Sequence, residues 1–173
     1  MKELDEKYIA RCHRKLKEYG APLSGWYCVE VIDIADEMDD EDATTECELC
    51  GCKKVRYIHV MRHDDYFDDF RVGCICAGIM EGDILEAKDR ERRFKNRQKR
   101  KLNFPRRKWR PLRNGNYYLN YHDQGVFINR LGNGRLYVRC GNDKSYRYKG
   151  RPIDNFLSAA YAAFDLADPK EAL

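Results

Sequence analysis

The sequence has no long apolar run and none of the motifs of the common nucleotide-binding or hydrolytic enzymes. No stretch approaches the roughly 20 apolar residues that a membrane-spanning helix needs, and residues 1–6 lack a signal peptide's apolar core. A nucleophile elbow, a phosphate-binding glycine loop and a dinucleotide fingerprint are also absent. We therefore expect a cytoplasmic protein with no membrane partner.

Cysteine, by contrast, is abundant, with eight residues in a chain of 173. In a chain without an export signal this favours metal binding in a reducing compartment over disulfides. Two pairs have metal-ligand spacing, Cys47 with Cys50 and Cys74 with Cys76. Four thiols arranged in this way are typical of a structural zinc site. The pattern predicts zinc bound by these four residues, with a knuckle at the first pair and the second pair at a helix start.

Other residues are weaker candidates for this site. His59 and His63 could replace Cys76, since imidazole nitrogen also binds zinc. Cys52 is too close to Cys50 to fit the knuckle well. The remaining cysteines stand alone and are expected to be small buried apolar residues: Cys12, Cys28 and Cys140.

Charge is distributed very unevenly along the chain. The formal net charge is +4, yet residues 87–151 carry 21 Lys and Arg against four Asp and Glu, a net +17. Residues 1–46 have a net charge of −7, and residues 36–42 form an acidic loop. A segment as basic as 87–151 favours a polyanionic partner such as nucleic acid.

Periodicity divides the chain into three segments and predicts an α+β fold. Segment 1–46 has a helix up to residue 20, a strand at 26–34 and the acidic loop. Segment 47–104 is the zinc finger, with strands at 55–61 and 70–72 and a basic helix from about 77 or 83 to 102. Segment 105–173 has strands at 116–121, 126–130, 135–140 and 145–149, and a helix after Pro152.

The basic segment supplies the candidate nucleic-acid contacts. In the strand at 135–140, Leu136 and Val138 are expected to face the core, so that Arg135, Tyr137 and Arg139 share the wet face. Cations for phosphate and planar rings for bases suit a nucleic-acid surface. The other candidates lie in the basic helix and on neighbouring elements: Arg93, Arg97, Arg100, Lys101, Arg106, Arg107, Arg130 and Arg147.

Two resemblances accompany these motifs. The knuckle, hairpin and second cysteine pair resemble small treble-clef zinc-finger proteins of bacteria and phages, and more distantly zinc-bearing HNH nucleases. Segment 105–173, through Gly134-Arg135-Leu136-Tyr137-Val138-Arg139 and the helix at 158–165, resembles AP2-type and integrase arm-binding modules. That resemblance implies a sheet, supported by one helix, that contacts DNA through Arg130, Arg135, Tyr137, Arg139 and Arg147. The tryptophan that AP2 modules have on the middle strand is absent here.

Together these features predict a non-catalytic zinc protein that binds nucleic acid, DNA rather than RNA, of bacterial or phage type. One alternative is an HNH-like nuclease in which His59 or His63 is the general base beside a divalent cation. Another is a phage-encoded inhibitor that acts in the host cytoplasm by binding a host protein or a protein–nucleic acid complex.

Overall fold

A computed structural model describes residues 6–171 and 173 and confirms the mixed α+β class, with small antiparallel sheets and a C-terminal helix. The chain divides into two compact units: the first ends at Lys95 and the second begins at Asn96. The predicted segment 1–46 and most of segment 47–104 share the first unit, in which the strand at 27–33 pairs with the strand at 57–62, whereas residues 96–104 belong to the second unit. Each unit has its own apolar core.

The described part of the first unit combines three helices and the start of a fourth with a three-stranded antiparallel sheet. Helix α1 (Glu6–Glu18) precedes β1 (Tyr27–Asp33), the short α2 (Ile34–Glu37), β2 (Tyr57–Arg62) and β3 (Phe70–Val72). The strand order is β1-β2-β3. Gly20 ends α1, because its positive φ of 68° lets the chain turn while its N–H bonds back to Lys17.

Two helices follow where the sequence suggested one. Helix α3 (Cys74–Glu81) stops at Gly82, which has φ 78°, and α4 (Ile84–Asn103) begins after Asp83, whose carboxylate accepts the N–H of Glu86. A Cβ on Gly78 of α3 would lie 2.6 Å from the Ile84 Cα. The start of α4 therefore packs directly on the backbone of α3.

The second unit is a five-stranded antiparallel sheet packed by one helix. After a 3₁₀ turn at Phe104–Arg106, the sheet has the strand order β4-β5-β6-β7-β8. These strands span Arg110–Pro111, Tyr117–Tyr121, Gln124–Arg130, Leu136–Cys140 and Asp143–Ser145. A two-stranded ribbon, β9 (Arg147–Tyr148) and β10 (Arg151–Pro152), leads to α5 (Phe156–Ala167). The side chain of Asn155 caps α5 by accepting the N–H of Ser158.

Burial follows the alternation that the sequence predicts for the second sheet. Val126, Ile128 and Val138 are almost fully buried against the alanine-rich face of α5. Phe104, with none of its surface exposed, lies at the centre of this core and contacts Trp109, Tyr121 and Phe164 edge-on. One face of the sheet is thus buried, and the side chains on the other face are half-buried or exposed.

Candidate functional site

A cluster of three thiols lies in the first unit. The sulfur atoms of Cys47, Cys50 and Cys76 are all within 4.8 Å of one another, and these residues could hold a metal ion. Cys47 and Cys50 come from the predicted knuckle, whose turn is closed by Gly51 at φ 75° and by its N–H bond to the carbonyl of Cys47. Cys76 comes from the first turn of α3.

The donor set fits a soft or borderline metal. Cys47 and Cys76 are each 1% exposed, and thiolate sulfur is the ligand that such metals prefer. Sharing of hydrogen bonds among the thiols, together with burial, raises the pKa of both Cys47 and Cys76 above the ordinary thiol value. Without a cation these thiols stay protonated at neutral pH, so metal binding would release protons.

Cys74 does not join this cluster, although the sequence predicted it as a ligand. Cys74 and Cys76 both lie within α3, and residues two apart on a helix project about 200° apart. Cys74 instead lies with His59 of β2 and Glu91 of α4 in a second group, whose ligand atoms are also within 4.8 Å of one another and could hold a metal ion. Burial raises the pKa of Cys74 to about 11.

The second group is a poorer metal site because of a neighbouring cation. Arg90, only 6% exposed, directs its guanidinium at the His59 Nδ1 from 3.2–3.3 Å and pairs with Glu81 at 2.8 Å. Since arginine can only donate, Nδ1 accepts, and the proton of the neutral ring lies on Nε2. That Nε2, 3.5 Å from Glu91, therefore has no free lone pair for a metal.

The two candidate bases of the nuclease alternative differ in burial. His59 is completely buried within the sheet, where an attacking water molecule could not reach it. His63 follows β2, and its Nδ1 accepts the N–H of Asp65 while its ring packs on Trp26. Neither belongs to the cluster of Cys47, Cys50 and Cys76, so neither replaces Cys76 there.

The isolated cysteines differ in their surroundings. Cys12, Cys28 and Cys140 are buried, as expected, and Cys52 is exposed. The Cys12 sulfur of α1 lies 3.8 Å from that of Cys76. Nothing in the spacing of the sequence points to this proximity.

The cations predicted on the basic helix are occupied by carboxylates. Arg97, only 8% exposed, donates to Asp165 and to the carbonyl of Asp168. Arg100 pairs with Asp168, and Lys101 pairs with Asp165 at 2.9 Å. Arg93 similarly pairs with Asp89 and Glu86. All four cations therefore already have carboxylate partners, on the same helix for Arg93 and on or just after α5 for the other three.

The solvent-facing side of the second sheet forms what we call the outer sheet face. Strand pairing aligns Arg110, Tyr118, Phe127, Arg139 and Lys144 in one row across all five strands. The Phe127 ring contacts that of Tyr118 at 5.1 Å and the Arg139 guanidinium at 4.6 Å. The full set of strand positions on this face contains no Asp or Glu: Arg110, Tyr118, Asn120, Gly125, Phe127, Asn129, Tyr137, Arg139 and Lys144.

Two aromatic residues extend this row. Tyr137 stacks on Tyr146, with ring centroids 5.1 Å apart and planes 20° from parallel, and Tyr146 is 51% exposed. Gly125 lies beneath the Tyr118 and Phe127 rings, where an added Cβ would be 3.3 Å from each. The sequence predicted Tyr137 and Arg139 on this face but not the rest of the row, which only the strand register reveals.

The other predicted contacts lie around this face or away from it. Arg135 is exposed at the start of β7, on the side of Tyr137. Arg130 pairs with Leu136 and so lies on the opposite side of the sheet from Phe127. Arg147 is exposed on the β9–β10 ribbon and donates to the carbonyl of Gly150. Arg106 is exposed in the 3₁₀ turn, and the guanidinium of Arg107 lies over Tyr121.

Across residues 6–171 and 173, none of the helices has the length and apolarity required to traverse a bilayer. Comparisons with known protein families, with curated proteins and with solved structures found no match.

Proposed function

We propose that the protein is a zinc-containing, non-catalytic nucleic-acid-binding protein, directed at DNA through the outer sheet face. The single observation that carries the proposal is the row of cations and aromatic rings across the second sheet, from Arg110 to Lys144. Guanidinium and ammonium groups neutralise phosphates, and aromatic rings stack on bases or sugars.

Charge supports this assignment. The second unit carries 17 Lys and Arg against six Asp and Glu, a net +11. Three of those cations, on α4, already pair with Asp165 and Asp168. Those two carboxylates lie on and just after α5, which packs on the buried side of the sheet, so that they do not neutralise the outer sheet face. A partner bearing phosphates would relieve the repulsion among the remaining cations.

Zinc is the metal that best suits the first unit. Buried thiolates from a Cys-x-x-Cys knuckle and a helix start are the ligands of structural zinc sites, including the treble clefs that this segment resembles. In such a site zinc supplies folding free energy rather than chemistry. The burial of His59 removes one candidate base of the nuclease alternative, and the Nδ1 of the other, His63, already accepts the N–H of Asp65.

DNA binding is tested by fluorescence anisotropy with duplex DNA, single-stranded DNA and RNA at several salt concentrations. Contact with about six phosphates gives a slope of log K against log salt near −5 on duplex DNA. Arg139→Ala should weaken binding and reduce that slope by about 1. Arg92→Ala, which removes a 70%-exposed cation from α4, is the matched control and should change binding far less.

Equal losses from Arg139→Ala and Arg92→Ala would mean that the outer sheet face is not the binding surface. Absence of binding to all three nucleic acids at low salt would reject the proposal. Salt-insensitive capture of a single protein would then favour the inhibitor hypothesis instead.

A further inference from the structure

The thiol of Cys12 faces the cluster of Cys47, Cys50 and Cys76. Cys12 and Leu16 are the buried residues of the amphipathic helix α1, one turn apart on its inner face. The Cys12 sulfur is 3.8 Å from that of Cys76, although it lies outside the group whose sulfur atoms are all within 4.8 Å of one another. We propose that Cys12 is the fourth ligand of the metal, an inference that rests on the zinc of the proposed function.

The spacing of the sulfur atoms suits this role. In a tetrahedral zinc–thiolate site the metal–sulfur distance is about 2.3 Å, which places neighbouring sulfur atoms about 3.8 Å apart. The separation of Cys12 and Cys76 equals such an edge. Three protein ligands alone would leave a position for water, as in catalytic sites, whereas a fourth thiolate closes the site.

Neighbouring donors are placed to stabilise the charge of four thiolates. The Tyr8 hydroxyl lies 3.0 Å from the Cys76 sulfur, and with a thiolate there the hydroxyl donates. The N–H of Gly73 points at the Cys47 sulfur from 3.4 Å. Hydrogen bonds of this kind from the surrounding shell orient metal ligands and compensate their charge.

Cys74 is the competing candidate for this fourth position. It projects from the other side of α3, towards His59 and Glu91, and could reach the cluster only if the first turn of the helix unwound. Cys12 already approaches Cys76, and its sulfur need only move closer to Cys47 and Cys50, with no unwinding of a helix. The proposal therefore takes one ligand from α1, two from the knuckle and one from α3, so that the metal links three parts of the first unit.

X-ray absorption spectroscopy of the full-length, zinc-loaded protein tests this assignment by counting ligand atoms. The expected result for the wild type is one zinc per chain with four sulfur atoms at about 2.3 Å. Three sulfur atoms with one oxygen or nitrogen would overturn the assignment of Cys12 while leaving the zinc proposal intact. Absence of stoichiometric metal would overturn both.

Matched serine variants identify which thiol is the fourth ligand. Cys12→Ser should replace one sulfur ligand by a lighter atom. It should lower the zinc affinity by at least the roughly 10- to 100-fold that loss of an outer-shell contact typically causes, because it removes a ligand itself. Cys74→Ser should keep four sulfur atoms. The reverse pattern would refute the proposal. If Cys12→Ser does not fold, the count in Cys74→Ser decides: four sulfur atoms support Cys12, and three overturn it.

Discussion

The carboxylate of Asp168 offers the sharpest test of whether the cations of α4 stabilise the fold. It accepts hydrogen bonds from the Tyr121 hydroxyl at 2.7 Å and from two nitrogens of Arg100 at 2.9 and 3.2 Å. Asp168→Asn keeps the shape of the side chain and removes its charge. We expect the second unit to be destabilised.

The size of the effect follows from exposure. A buried hydrogen bond to a charged group contributes about 1.5–3 kcal/mol to stability, which applies to the bond from Tyr121. The Arg100 side chain is 42% exposed, so its ion pair with Asp168 contributes close to the surface value of about 0–1 kcal/mol. The loss should total about 2 kcal/mol. For a unit of this size, about 4–8 °C per kcal/mol gives a Tm lower by about 8–16 °C.

The effect should depend on pH. Burial alone would raise the pKa of Asp168, but hydrogen bonds from Arg100 and Tyr121 and the charge of Arg100 and Arg97 outweigh it and lower that pKa. A lowered pKa gives stability that is present above the unfolded value of about 3.9 and is lost as the pH falls through the folded value. The difference between wild type and Asp168→Asn should therefore be constant near neutrality and shrink below about pH 4.

Thermal unfolding followed by Trp109 fluorescence, in a Trp26→Phe background, measures this difference at each pH. Asp123→Asn removes an exposed carboxylate at the β5–β6 turn and should leave the Tm nearly unchanged. An unaltered Tm for Asp168→Asn, or an equal difference at pH 3 and pH 7, would refute the structural role. If Asp168→Asn instead strengthened DNA binding and steepened its salt dependence, the α4 cations would be phosphate contacts after all.

Two further predictions concern the cores of the two units. Phe104→Ala removes a fully buried ring that contacts three other rings, and it should lower the free energy of unfolding of the second unit by about 3–5 kcal/mol. The cooperative unfolding transition followed by Trp109 fluorescence should then disappear. The control variant Phe67→Ala, which changes a side chain that is 90% exposed, should keep that transition. Chelation by EDTA should lower the Tm of the first unit, followed by Trp26 fluorescence, and leave the Tm of the second unit, followed by Trp109, unchanged. Added zinc should restore the Tm of the first unit. A Trp26 transition that EDTA does not change would contradict a structural metal.

Local patterns account for what could be predicted from the sequence. The α+β class follows from helical spacing in α1 and from period-2 alternation in β6 and β7, because each pattern depends only on neighbouring residues. The same is true of Cys47 and Cys50, whose spacing and following glycine define the knuckle. Tyr137 and Arg139 were placed on the solvent side of β7 for this reason.

Contacts between distant parts of the chain account for what could not be predicted. Cys74 and Cys76 appear equivalent as a pair, and only the start of α3 at Cys74 separates their directions. The partners of Arg97, Asp165 and Asp168, follow about 70 residues later. No local rule specifies such a distance, so a run of cations on a helix does not reveal whether they face solvent or carboxylates.

The packing of Ile84 against Gly78 has an evolutionary consequence. Any side chain at position 78 would collide with the backbone of Ile84 rather than with a flexible side chain. Even a substitution by alanine should therefore be eliminated during evolution. Among divergent descendants of this chain, residue 78 should remain glycine, whereas surface positions such as Lys88 vary freely. A homologue that carries a larger residue there must have changed the way its third and fourth helices meet.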